Sequence, residues 1–293
     1  MIGAAALSLS SALVARMEPP GPASGRPDDK FRAMREERSA RMAGPGLRCA
    51  SSGLRGPREG RATVDSLRIL AIDTALEACS AAILDTDRRD AVTSRSLPMT
   101  RGHAEALVPL VAAVISDANV EFAALDRIAV TVGPGSFTGL RVGVAAARGI
   151  ALATGKPAVG LTTLAALAAP FFAADETRPL MAVIDARHDR VYMQLFDPGG
   201  RSLLAPRIAS THDAIRVAMA SPTRIVGNAA RRIEEAWPDD TPRPPLVSAV
   251  RAPDIAWVAR LGAAAEDLTI PVRPLYLGDA HAHSQEAGIL PRR

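Results

Sequence analysis

Aromatic residues are scarce in this sequence, which has 2 Trp, 2 Tyr and 6 Phe among 293 residues. Proteins that bind single-stranded nucleic acid usually stack the bases on aromatic side chains, so the composition argues against such a platform here. The 2 cysteines, Cys49 and Cys79, exclude a disulfide framework or a cysteine-rich zinc site. We therefore expect a cytoplasmic protein, and we expect any RNA to be held through a partner.

Excess positive charge is confined to the beginning of the chain. Residues 1–66 hold 11 Lys and Arg against 7 Asp and Glu, which accounts for the whole formal charge of +4. The remainder is formally neutral, and a neutral domain does not by its bulk charge predict binding to a phosphate backbone. Residues 1–66 are also rich in Arg, Gly, Pro and Ser after an apolar start. We interpret them as a disordered extension or a mis-assigned start.

Patterns typical of metal and nucleophile catalysis are lacking. The five histidines are spread along the chain, and none has a second ligand at helical spacing. Ser136 follows a strand pattern, but Pro134 and Thr138 stand where a nucleophile elbow needs glycine. We therefore predict no metal site and no catalytic residue of the chain's own.

What the sequence does have is a strand, turn and helix signal from Val130 to Gly155. A β-branched run meets Gly133-Pro134-Gly135-Ser136 and continues into small and aliphatic residues. Such a turn ahead of a helix is able to bind an anion, although a purely structural turn is the simpler interpretation. We expect Ser136 or Thr138 to cap the helix start and Gly155 to end the helix.

One stripe of this helix carries almost no side chain. Gly139, Gly143 and Ala147 recur every four residues, next to an apolar stripe that includes Leu140 and Val144. The stripe either packs on the protein's own sheet or lets a partner helix approach closely.

The order of strand and helix patterns along the chain predicts two α/β lobes, 67–172 and 173–293, with a loose tail from about 278. Strands at 68–73, 79–84 and 91–99 form an antiparallel meander, followed by a helix at 103–117 that Pro109 should kink or shorten. A helix is expected at 163–173. Strands at 180–185 and 191–197 repeat the opening pattern, and helices follow near 210 and at 253–266.

Each lobe begins with a strand that ends in Asp, namely Asp73 and Asp185. In nucleotide-binding folds the hairpin after such a residue carries glycine so that backbone N–H groups reach phosphate. Neither Thr74-Ala75 nor Ala186-Arg187 supplies that glycine. We therefore predict a vestigial anion or nucleotide site, formed by six residues: Asp73, Thr74, Gly133, Gly135, Ser136 and Asp185.

These residues resemble the TsaB (YeaZ) family. The likeness rests on the strings at 69–80 and 133–143, on His103, and on the segments at 160–164, 184–187 and 274–277. It implies the actin/Hsp70/sugar-kinase two-lobed fold and a non-catalytic subunit for synthesis of N6-threonylcarbamoyladenosine (t6A) at position 37 of tRNA. In the family, Arg usually follows the terminal Tyr-Leu, whereas Gly278 stands here.

The resemblance also implies partners and their cofactors. TsaB pairs with the related subunit TsaD, and the ATPase TsaE joins them. ATP, Mg and the metal are expected on those partners, with no cofactor bound tightly here. TsaD holds its metal through a His pair, and Thr163 and Leu167 stand at those two positions in this chain.

The family docks TsaD through the first two helices of the first lobe, which favours the docking interpretation of the bare stripe. The expected interface comprises His103, Leu107, Leu110, Val111, Val114, Gly139, Leu140, Gly143, Val144 and Ala147. A homodimer on the same face stays open. Two other functions also stay open: an ATP-dependent small-molecule kinase of the same superfamily, and a metallopeptidase of the M22 type, a label that the family sometimes carries.

Overall fold

A computed structural model describes residues 66–88, 91–172, 176–266 and 271–277. The prediction for residues 1–66 lies almost wholly outside these ranges, as does the tail from 278. The rest contains ten strands in two sheets, with the α-helices on their faces and two short 3-10 turns.

The first sheet has the order β3-β2-β1-β4-β5. Its strands are β1 (Arg68–Asp73), β2 (Ala78–Asp85), β3 (Ala91–Pro98), β4 (Arg127–Gly133) and β5 (Ala158–Thr162). The predicted antiparallel meander of β1, β2 and β3 is confirmed, and β4 and β5 join it in parallel. Because β1 and β4 are parallel neighbours, their carboxyl ends lie side by side.

Three helices belong to this half of the chain: α1 (His103–Ala118), α2 (Phe137–Thr154) and α3 (Thr163–Ala168). The Ser136 side chain caps α2, and Gly155 ends it in the left-handed conformation, as predicted. The prediction that Pro109 would kink or shorten α1 is wrong on length, because the helix runs through to Ala118. Pro109 lies on the exposed side, where water can reach the carbonyl that loses its bond.

The second sheet repeats the arrangement with the order β10-β9-β6-β7-β8. Its strands are β6 (Leu180–Asp185), β7 (Arg190–Phe196), β8 (Ser202–Ser210), β9 (Arg224–Val226) and β10 (Val247–Ser248). Its helices are α4 (Thr211–Met219) and α5 (Ala230–Glu235). The internal repeat is therefore confirmed, since an antiparallel meander followed by parallel strands occurs twice. The sequence analysis missed β8, α5 and β10.

Helix α6 (Ile255–Ala264) comes after the second sheet in sequence but packs on β1, β2 and β4 of the first. It begins at an Asp254 cap, two residues later than predicted, and α3 ends at Ala168, sooner than the predicted 163–173. A shared apolar core between the sheets includes α3, α6 and inward residues of β1 and β6. Helices α1 and α2 cover the other face of the first sheet, and α4 and α5 that of the second.

Candidate functional site

The candidate site lies where β1 and β4 end and their two turns meet. Asp73 closes β1, and its carboxylate is fully buried. One carboxylate oxygen, Oδ1, accepts from the Thr131 hydroxyl at 2.5 Å and from the Ala75 N–H at 3.2 Å. The other oxygen, Oδ2, has no partner within the described residues. This position supplies an acidic group that is shielded from solvent.

Burial governs the ionisation of Asp73. Desolvation raises its pKa to about 6, although the hydrogen bonds from Thr131 and Ala75 act in the opposite direction. Burial also raises the pKa of the Cys79 thiol to about 11, and the nearby charge of Asp73 adds to that effect. The site therefore disfavours the ionised carboxylate, which is the form that a bound cation would require.

The glycine-rich turn after β4 is filled by the chain itself. The Ser136 N–H donates to the Ala75 carbonyl at 2.7 Å, so one N–H at the α2 amino terminus already has a partner. A Cβ at Gly135 would collide with that same carbonyl. Gly133 has φ of 120° and is joined to Pro134 by a cis peptide, and a Cβ there would lie 2.7 Å from the Leu275 carbonyl oxygen. The two glycines therefore leave room for the backbone carbonyls of Ala75 and Leu275 to pack against the turn.

The bare stripe of α2 faces inward. The Thr74 hydroxyl donates to the Gly139 carbonyl at 2.7 Å, and Thr74 atoms occupy the space where side chains at Gly139 and Gly143 would project. Thr74 therefore fills the gap that the sequence analysis assigned to a partner helix.

All ten residues of the expected partner interface are buried within this chain. Six of them belong to the core that α1 and α2 share with the first sheet, namely Leu107, Leu110, Val111, Val114, Val144 and Ala147. The His103 Nε2 atom is buried and has no partner among the described residues. The structure corrects the docking interpretation of the stripe, because the packing interpretation accounts for every one of these positions.

The matching position in the second lobe is Asp185, at the end of β6. Its Oδ1 accepts from the Arg187 N–H at 2.9 Å and from Arg232 Nη1 at 2.8 Å. Its backbone N–H donates to the side chain of Asn228 at 2.9 Å. Asp73 and Asp185 therefore end equivalent strands, but in the described part of the chain Asp73 is buried without a cationic partner, whereas Asp185 is exposed and paired with Arg232.

Sequence reasoning missed the outer face of α2. Phe137, Arg141, Ala145, Arg148 and Leu152 fall at helical spacing and are all exposed, Leu152 at 87%. Phe137, Ala145 and Leu152 alternate with the two arginines along this face. That alternation was the available signal, since apolar side chains grouped on an exposed face often mark an interface.

The segment 271–277 forms one wall of a groove along this face, with a volume of about 590 Å³. Its lining includes Arg141, Arg148, Pro274 and Tyr276. The Arg141 guanidinium lies 3.6 Å from the Phe137 ring centroid, and its Nε donates to the Tyr276 hydroxyl at 3.3 Å. The Leu275 N–H donates to the Val132 carbonyl at 2.7 Å, which holds the segment against β4.

Metal-ligating side chains do not cluster in the described ranges: no group of three or more His, Cys, Asp or Glu could hold an ion there. Thr163 and Leu167, which stand at the positions of the expected metal pair, are buried in α3. Every helix in the same ranges is too short or too polar to cross a bilayer.

Comparison with known proteins decides the family. The family model for TsaD, tRNA N6-adenosine threonylcarbamoyltransferase, matches residues 98–251, just over half of the chain. The chain is 35% identical over 126 residues to the Escherichia coli tRNA threonylcarbamoyladenosine biosynthesis protein TsaB. It belongs to the TsaB (YeaZ) family.

Other relatives agree. The TsaB protein of Haemophilus influenzae is 32% identical over 129 residues, which cover 44% of this chain and 53% of that protein. The solved YeaZ structure from Pseudomonas aeruginosa superposes with a TM-score of 0.58 at 28% identity, covering 72% of this chain and all of that one. In sequence, the chain spans about half the length of the curated TsaB relatives it matches. The predicted α/β fold, with two mixed sheets and flanking helices, is confirmed.

Proposed function

We propose that this chain is a non-catalytic scaffold subunit for the synthesis of t6A in tRNA, acting by forming a heterodimer with a TsaD-type enzyme. The observation that carries the proposal is the hydrogen bond that the Ser136 N–H donates to the Ala75 carbonyl oxygen. It occupies the end of α2 where a phosphate would have to bind, and no glycine in the hairpin offers a second approach.

The second lobe supports the same conclusion. An ATP-dependent kinase of this fold needs a carboxylate that is free to act on magnesium or substrate, and Arg232 already neutralises Asp185 here. The buried Asp73 is poorly suited to a cation because desolvation opposes its charge. These two features weigh against the kinase alternative, and the side chains at 163 and 167 weigh against an M22-type metallopeptidase.

The outer face of α2 is the surface on which we place the TsaD contact. Phe137, Arg141 and Tyr276 form one connected cluster, with ring centroids of Phe137 and Tyr276 5.6 Å apart. Tyr and Arg are the residue types most often found at binding hot spots. Leu152 extends the apolar surface three turns along the helix from Arg141. In this arrangement the buried stripe holds α2 in place and the opposite face meets the partner.

The remaining roles then fall to the partners. TsaE joins the assembly, tRNA is held by the complex, and ATP, magnesium and metal bind on the other subunits. The chain contributes a surface and no reacting group.

Co-elution with TsaD tests the proposal. We expect the double variant Arg141→Asp, Leu152→Asp to abolish co-elution and TsaD-dependent t6A formation, because it places two carboxylates on the contact face. Both side chains are exposed, so the free energy of unfolding should fall by no more than about 1–2 kcal/mol, mainly through loss of the Arg141 contacts with Phe137 and Tyr276. The exposed Arg231, on α5 of the second lobe, provides the matched control Arg231→Asp, which should retain binding.

Two outcomes would contradict the proposal. One is undiminished co-elution of the double variant. The other is micromolar binding of MgATP by the isolated chain in calorimetry, which would revive the kinase alternative. Gly143→Leu is unsuitable as a test because the new side chain would collide with the Thr74 side chain and disturb the fold itself.

A further inference from the structure

The groove between α2 and the segment 271–277 is lined by cationic side chains. Arg141 and Arg148 line it from the helix, and Tyr276 lines it from the segment. Neither α2 nor 271–277 contains an Asp or a Glu, whereas Arg273 gives the segment an arginine of its own. We propose that this groove recognises two carboxylate side chains of the TsaD-type partner, one at each arginine of the helix. The inference rests on the proposed function and adds to it the chemistry by which the partner is recognised.

The guanidinium of Arg141 is held in a position to bind a carboxylate. It lies 3.6 Å from the centroid of the Phe137 ring, and its Nε donates to the Tyr276 hydroxyl at 3.3 Å. Its two terminal nitrogens, Nη1 and Nη2, have no hydrogen-bond partner among the described residues. They present a planar pair of donors that matches the two oxygens of a carboxylate. Because contacts within the chain already restrict this side chain, a partner loses less conformational entropy in binding it.

Arg148 supplies the second cation of the groove. Its side chain is exposed and makes no ion pair or hydrogen bond within the described part of the chain. It follows Arg141 by about two helical turns, so the two residues are separated by about 10 Å along the helix axis. The exposed Ala145 lies between them and leaves the floor of the groove low. A partner helix that packs along α2 would therefore meet both arginines with acidic residues at positions i and i+7.

The surroundings of the groove favour a protein carboxylate over an RNA phosphate. Phe137 and Tyr276 are 55% and 51% exposed, and the exposed Leu152 lies one turn beyond Arg148. A protein partner buries such apolar groups and gains the binding energy that exposed ion pairs alone do not supply. The ion pairs then fix its orientation and its register on α2. An RNA backbone would pair with the arginines but leave the apolar side chains in water.

The affinity for the TsaD of the same organism, measured by biolayer interferometry, tests the groove. We expect Arg148→Gln to raise the Kd about tenfold or more at about 50 mM salt, and the parent complex to weaken at about 300 mM salt. Arg148→Gln breaks no contact among the described residues, so it should leave thermal unfolding unchanged. Arg141→Lys keeps the charge but loses the planar pair of donors, and it should also raise the Kd. Arg231→Gln, on α5, is the matched control and should bind as the parent does.

Charge exchange identifies the acidic groups on the partner. Arg148→Glu should abolish the complex, and one Asp→Arg or Glu→Arg substitution in a panel covering the surface helices of TsaD should restore it. A panel without any restoring variant would contradict the inference.

The outcomes separate this inference from the proposed function. If the parent chain binds TsaD and both Arg148→Gln and Arg141→Lys bind it equally well, the groove is not the recognition site, although the heterodimer stands. A parent chain that does not bind TsaD would overturn both. Variants that keep their affinity for TsaD but lose retention of tRNA on a filter would assign the arginines to RNA phosphate instead.

Discussion

At the scale of a single residue, Asp73 carries an acidic group that folding removes from solvent. Its carboxylate is buried at the end of β1, and within the described part of the chain it accepts hydrogen bonds from the Thr131 hydroxyl and the Ala75 N–H. Neither of these two contacts comes from an arginine or a lysine, so neither neutralises the negative charge. Packing of the chain around β1 keeps this carboxyl group out of water, and the resulting desolvation destabilises its ionised form.

The titration of Asp73 predicts a pH dependence of stability. Its pKa rises from 3.8 to about 6 on folding. Because the folded state holds the proton more tightly, the contribution of this group to stability is fully present below about pH 4. That contribution falls as the pH rises to about 6, by about 3 kcal/mol in total.

Asp73→Asn isolates that effect, because the amide oxygen can still accept from Thr131 and Ala75 while carrying no charge. We expect the difference in unfolding free energy, parent minus variant, to fall between pH 4 and pH 6 and to level off above. Urea titrations at a series of pH values measure it. A difference that is constant over this range would mean that Asp73 ionises without hindrance.

Helix α2 carries two different faces at the scale of one element. The glycine stripe packs against Thr74 and the β1–β2 turn, while Phe137, Arg141 and Leu152 face outward. The glycines of this helix therefore differ in environment. Gly139 lies against the Thr74 backbone, whereas a Cβ at Gly149 would meet nothing within 4 Å.

Replacement of each glycine by alanine separates packing from helix propensity. Gly139→Ala should lower the free energy of unfolding by about 1–3 kcal/mol, because the methyl group forces the turn away. Gly149→Ala should raise it by about 0.5–1 kcal/mol, since alanine is favoured in an open helical position. Urea denaturation of the two variants provides the measurement. Equal effects would show that the stripe does not pack as described.

At the scale of the whole molecule, a buried arginine contacts the connection between the two sheets. Arg224 of β9 is buried and donates to the Phe171 carbonyl at 2.7 Å and the Arg178 carbonyl at 3.3 Å. Phe171 and Arg178 lie near the two ends of the segment that connects the first sheet to the second, which we call the crossing. Hydrogen bonds from Arg178 hold the pKa of Glu176 at about 2, and the charge of Arg224 contributes. Together they attach the crossing to the second sheet.

Arg224→Met should therefore destabilise the protein. Loss of the guanidinium leaves two carbonyls without their donor, and we expect a cost of about 3 kcal/mol. Arg216→Met is the control, because its ion pair with Asp213 is exposed and should contribute less than about 1 kcal/mol. Thermal unfolding compares the two. A small effect at Arg224 would show that the crossing is held by apolar contacts alone.

Local features were readable from the sequence because their causes are local. The strand before Asp73, the turn at Gly133 to Ser136, the cap at Ser136 and the end of α2 at Gly155 all depend on neighbouring residues. The antiparallel meander and its repetition in the second half follow from the alternation of short apolar runs and turns. For the stripe on α2, the sequence allowed packing within the chain or docking of a partner helix. The family resemblance favoured docking, whereas the stripe is buried within the chain.

The sequence by itself thus determined the fold class, the order of the main elements and the lack of phosphate-binding glycines. Only the tertiary structure decided which face of α2 points inward, because a stripe of small residues suits a sheet and a partner helix equally well. The deciding contact joins Thr74 to Gly139, 65 residues apart. The return of α6 to the first sheet and the burial of Asp73 likewise depend on residues distant in sequence, which local spacing does not reveal.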